Sequence, residues 1–182
     1  MKTFDHPLLG RMEPDGEGGL VSKEMAVGAL GGARCRFHLE AYADDPAPKE
    51  LDAAIEAALT GGDDVLEEAR PDVLRYFADM QKLYAQHGGP RLPLKDPSEI
   101  WAMVDFGHEL HVQRRDDGDA EDGIYLSLEC NCEWEPEHGL QIVLRGGNRI
   151  TKVGPYDGHV TNADAFDDPR LVGVVYVWPG GP

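Results

Sequence analysis

Residues Gly139–Gly154 read GLQIVLRGGNRITKVG, and how this stretch folds decides the architecture of the rest. Two short apolar runs, GLQIVLR and NRITKVG, flank RGGNR, whose glycines and asparagine tolerate the positive φ that a tight hairpin turn requires. The two runs are therefore expected to pair antiparallel. Such a return carries the chain back toward the turn that holds His138, and would set His138 and His159 on one edge of the sheet.

Working outward, HELHVQRR (108–115) and GIYLSLEC (123–130) precede the hairpin as strands, and RLVGVVYVW (170–178) follows it as a last one. Thr161 with Asp164 resembles a helix cap, placing a short helix across NADAF. Near the N-terminus residues 20–42 read as two strands. In ARCRFHLEAY, Ala33, Cys35, Phe37, Leu39 and Ala41 alternate with Arg34, Arg36, His38, Glu40 and Tyr42, the period of a sheet with one buried face. Cys35 and His38 then point to opposite faces, which excludes a local Cys/His dyad and makes Cys35 a small core residue.

Between these strand blocks the pattern is helical. After ADDPAPKE, Leu51, Ile55 and Leu59 recur at helical spacing and Gly61 supplies a stop. Asp63 or Asp64 can cap the next segment, where Leu66, Val73, Phe77, Met80 and Tyr84 form an apolar stripe. Pro71 interrupts it, predicting a kink or a short helix followed by a long one. In LPLKDPSEIWAMV, Asp96 at the N-cap, Pro97 next and Glu99 at the reciprocal position start a short helix presenting Ile100, Trp101 and Val104 to the core.

Strands, then helices, then strands, without alternating βαβ units, define an α+β fold: a mainly antiparallel sheet with two central helices inserted between N-terminal and C-terminal strands. The chain reads as one domain over residues 1–182, with N-terminal strands in 1–45, a helical segment in 48–104 and C-terminal strands in 108–178. PDGEGG and WPGGP read as turn and tail.

At 182 residues the chain can bury a sizeable core, and 17 basic against 34 acidic side chains give a net charge of −17. That charge repels phosphate backbones and anionic membranes, so nucleic-acid and membrane partners are not expected. It suits either simple solubility or a basic protein partner. No apolar run reaches signal-peptide or membrane-span length, which makes the cytoplasm the default location. Three cysteines, Cys35, Cys130 and Cys132, are too few and odd in number for a disulfide scaffold. No cofactor is expected, with zinc or calcium the ions left open by the clusters below, and the composition specifies no oligomeric state.

Several clusters invite a chemical reading. The acidic loop DDGDAEDG (116–123) could wrap calcium, but it lacks the ligand spacing of an EF-hand and reads as a solvated hairpin loop. Cys130 and Cys132 form C-x-C and His138 follows across a turn, but zinc wants four converging ligands, and a fourth could come only from afar, from His108, His111 or His159. The alternation Ile124, Leu126, Leu128, Cys130, Cys132 places both thiols inward instead. Glu133, Glu135, Glu137 and His138 could serve as acid, base or metal ligands. The same residues also make a structural turn. Trp134 would anchor it, Pro136 fix its bend, Glu137 and His138 bond local backbone, and Gly139 take a left-handed conformation. Tyr156, Asp157 and His159 in GPYDGH read similarly as a turn. No nucleophile elbow, metalloprotease helix, phosphate loop or dinucleotide fingerprint is present.

CEWEPEHGLQIVLRGG, together with HPLLG near the start and the central pair of helices, resembles a bacterial family of uncharacterised proteins, domains of unknown function, marked by a W-[DE]-x-E-H-G turn leading into a strand. The motif here is Trp134, Glu137, His138 and Gly139 with their intervening residues. The resemblance covers most of the chain and implies no activity. Some similar proteins look like members of toxin–immunity neighbourhoods, which implies an acidic immunity protein covering a basic toxin. The paired cysteines depart from any role the family offers. Two readings follow: a non-enzymatic protein that binds another protein, or a metal-dependent hydrolase-like site on Glu135, Glu137, His138 and His159.

Overall fold

The computed structural model describes residues 3–16, 18–89 and 91–178. Most of the WPGGP tail and Glu17 of PDGEGG lie outside them. Among the described residues ten strands form one sheet: β1 Phe4–His6, β2 Gly10–Pro14, β3 Leu20–Val21, β4 Met25–Val27, β5 Ala33–Leu39, β6 Val104–Asp105, β7 Glu109–Arg115, β8 Gly123–Cys132, β9 Leu140–Arg145 and β10 Arg149–Gly154. The main path runs β1-β2-β3-β5-β7-β8-β9-β10, with β4 also on β5 and β6 also on β8.

Every strand pair is antiparallel except β5 with β7, which run parallel with His38 opposite His111. Parallel neighbours need a crossover, and the inserted helices supply it: α1, Pro48–Thr60, and α2, Asp64–Gln86. The fold is thus α+β, mainly antiparallel, with two central helices between the strand blocks, and the helical insert accounts for its one parallel seam.

One sheet face, carrying Leu110, Val112, Leu126, Leu128, Cys130, Ile142 and Leu144, packs with Leu51, Ile55, Val73 and Phe77 of the helices into the main core. The other face is polar or covered by the 155–166 segment, where Val160 sits on Tyr125 and Val143. A register shift between Ile150 and Lys152 puts Lys152 opposite Val143. There its buried ammonium donates to Asp157 and to the His159 carbonyl at 3.0 Å, pinning that segment to the sheet.

The RGGNR hairpin forms as the sequence predicts, with Gly146 and Gly147 at φ 61° and 84°. Thr161 caps α3, Asn162–Phe166, by accepting the Asp164 N–H. Several expectations are corrected. RLVGVVYVW forms no strand: Gly173 takes φ 73°, and the segment is held instead by Asn162, which donates to the Val174 and Val175 carbonyls, and by the Val153 N–H. Pro71 does not divide α2, which runs unbroken for 23 residues with Pro71 on its exposed side. Asp63 makes no side-chain cap. The Pro97–Met103 segment is a 3-10 helix, with Asp96 accepting from Ser98 N–H and Ile100 buried. Ala41 leaves the buried row, exposed in a left-handed conformation at φ 51°. Residues 20–42 hold three strands, β3, β4 and β5, instead of two, and β1–β2 adds a short edge hairpin with little apolar alternation.

Gly61 ends α1 for a reason other than a left-handed cap. Its φ is −58°, but an added Cβ would lie 2.8 Å from the Ala29 side chain. Close approach, not backbone handedness, requires glycine there.

Candidate functional site

The turn after β8 is built from its buried residue outward. Trp134 is fully buried, edge-on to Tyr76 and Phe77 of α2 at 6.1 and 5.8 Å between ring centres. Glu135, also buried, turns its carboxylate back: Oε1 accepts the Glu137 N–H at 3.0 Å and the His138 N–H at 3.3 Å. This corrects the expectation that Glu137 and His138 side chains satisfy the local backbone. Glu135 does so, because its position lets one oxygen reach two successive N–H groups. Gly139 closes the turn at φ 62°, donating to the Glu135 carbonyl while its own carbonyl accepts the Tyr76 hydroxyl at 3.1 Å. Tyr156 N–H donates to the His138 carbonyl, so the chain beyond β10 does return to this turn.

Donor atoms of Glu135, Glu137 and His138 lie within 4.8 Å of one another, with His138 Nδ1 3.6 Å from Glu135 Oε1. His159 lies outside this trio. It belongs to the Lys152 cluster, its Nδ1 3.5 Å from Asp157 and its carbonyl accepting from Lys152 and from Gln141. Cys130 and Cys132 point into the core with Leu126 and Leu128, and burial raises both thiols to about 12. Neither is part of a donor cluster among the described residues.

The acidic loop is organised around an internal cation. The buried Arg115 guanidinium donates to Asp119, Asp122 and Asp164, and its bonds hold Asp119 down to about 2 with help from the Glu121 N–H. These carboxylates are engaged by arginine, which leaves little of the ligand set a calcium ion would need.

Sequence reasoning missed the other polar grouping. The parallel seam stacks His38 on His111 at 4.9 Å between ring centres. Glu109 stands 3.8 Å from His38 Nε2 and Glu40 3.9 Å from His111 Nδ1. With Asp15 and Asp44 they line a cleft of about 570 Å³. Among the described residues His38 Nε2 is buried without a hydrogen-bond partner, and burial, followed by the neighbouring His111, lowers its pKa. Arg36 on the same face pairs with Glu109 at 2.5 Å. Each strand's polar alternation was visible, but the register that unites them depends on a parallel pairing across the helical insert.

The fold and this pair of polar groupings define an α+β domain whose chemistry-bearing side chains sit on one sheet face and one turn. The chain belongs to the family described as a domain of unknown function, DUF6985, which matches residues 8–160. No curated protein and no solved structure matches it. The matched region includes both the Trp134–Gly139 turn and the His38–His111 stack. No helix among the described residues is long and apolar enough to cross a membrane.

Proposed function

We propose that this protein works in the cytoplasm by binding a basic protein, without catalysing a reaction, and that immunity-type inhibition of a basic bacterial toxin is the specific form of that binding. The observation that carries the proposal is the cleft around His38 and His111. Four carboxylates, Asp15, Glu40, Asp44 and Glu109, line a cleft with two imidazoles on the polar face of the sheet, and Arg36 pairs with Glu109 beside it. Ala41 on its rim keeps a left-handed φ of 51°, the kind of local strain that is retained where a surface must keep its shape. The net charge of −17 adds a long-range field that speeds the approach of a cationic partner. The cleft is half-enclosed, and its lining is mostly charged or polar instead of apolar, which suits a cationic protein surface better than a typical small-molecule pocket.

The test uses the tagged full-length chain and a Glu40→Lys/Asp44→Lys variant, each used to capture partners from lysate of the source organism. A basic protein retained by the native chain, released at high salt and weakened about tenfold or more by the variant, supports the proposal. A partner held equally by both forms, or no basic partner in repeated low-salt captures, overturns it. Circular dichroism of the variant verifies that the fold survives, which is expected because both side chains are exposed.

A further inference from the structure

We propose that the Trp134–Gly139 turn binds one divalent transition-metal ion of the zinc type on Glu135, Glu137 and His138, with its remaining coordination positions open to solvent. The site is independent of the acidic cleft and of any partner bound there.

Three observations support it. The first is geometric. All three donor atoms fall within 4.8 Å of one another, and His138 Nδ1 to Glu135 Oε1 is 3.6 Å. That separation is long for a hydrogen bond. It is close to the roughly 3.3 Å expected between two donors sharing a tetrahedral shell with bonds near 2 Å. Glu137 and His138 are exposed, so small rotamer changes can bring all three onto one ion.

The second is preorganisation. Glu135 is fixed by the Glu137 and His138 N–H groups, as carboxylate ligands of metals are usually fixed by outer hydrogen bonds. Trp134 roots the turn in the core, and the Tyr76 hydroxyl and Tyr156 N–H clamp it from either side at 3.1 and 3.0 Å. The backbone that presents the donors is therefore rigid before any ion arrives.

The third is a contrast in charge. In the 116–123 loop Arg115 sits among the carboxylates as a built-in counter-ion. In the Glu135–His138 turn, among the described residues, neither carboxylate is ion-paired with a lysine or arginine, and the neighbour they share is an imidazole. Two carboxylates and one imidazole suit zinc and the neighbouring first-row ions, whereas calcium and magnesium prefer all-oxygen sets.

The experiment strips the full chain with chelator, desalts it and titrates it with Zn²⁺ by calorimetry, using Co²⁺ absorption as a second readout of coordination. One equivalent should bind, and Glu137→Gln and His138→Ala should each weaken affinity at least tenfold. Their melting temperatures without metal should stay unchanged, because both side chains are on the surface. His111→Ala, which alters the other histidine grouping, should leave the titration as it is. Failure to bind one equivalent, or binding that survives His138→Ala or disappears in His111→Ala, overturns the assignment.

Discussion

At Gly139 a φ of 62° coincides with a Cβ position only 2.3 Å from the Cys130 carbonyl oxygen. A side chain there would meet both a strained backbone and rigid main chain. Gly139→Ala should therefore destabilise the fold by about 3 kcal/mol. For a chain of this size that lowers the melting temperature by roughly 6–12 °C, measurable in a thermal scan. His6 provides a second case. Its Nδ1 accepts the Leu8 and Leu9 N–H groups, so the ring proton lies on Nε2 and donates to Asp52 at 3.1 Å. Burial lowers its pKa, with Asp52 pulling the other way. The unfolded chain then takes up a proton just below pH 6.5 while the folded one does not. Stability is full above that value and is lost as pH falls toward the folded pKa. Denaturant midpoints should fall between pH 7.5 and 5.5, and His6→Gln should flatten that slope. His38 is lowered in the same direction, so part of the slope should remain.

Among the elements, β7 to β10 were legible because alternation and a glycine turn specify both strand and partner. In β8 the row Ile124, Leu126, Leu128, Cys130 and Cys132 is buried as its spacing implied. The 170–178 run has equal apolar character and forms no strand, because apolar content alone carries no register and Gly173 turns the backbone away. The parallel seam was illegible for a related reason: no local signal states which strand will lie beside β5 once two helices intervene. The Trp134 turn was legible as a turn, while the residue that closes it, Glu135, is distinguished from Glu137 only by the fold. The β7–β8 hairpin offers a test at this scale. Arg115 is buried among Asp119, Asp122 and Asp164, so Arg115→Met should cost about 2 kcal/mol. That figure is below the usual loss for a buried pair because these carboxylates are partly open to water. Hydrogen exchange should quicken most in the 116–123 loop and α3, which the guanidinium joins.

For the whole molecule, 34 acidic against 17 basic groups mean that folding concentrates negative charge. Added salt screens that self-repulsion. Raising sodium chloride from low to roughly physiological strength should increase the melting temperature, with sodium fluoride acting alike; a flat or falling trend would show that local ion pairs such as Arg114 with Asp45 and Glu50 outweigh the global field. Placing all three thiols in the core has a further consequence. Cys35, Cys130 and Cys132 are 0%, 1% and 6% exposed, and burial raises their pKa values to about 11, 12 and 12. The native chain should be almost silent to alkylating reagents, so the rate at which label appears becomes a clock for the opening of the sheet's centre.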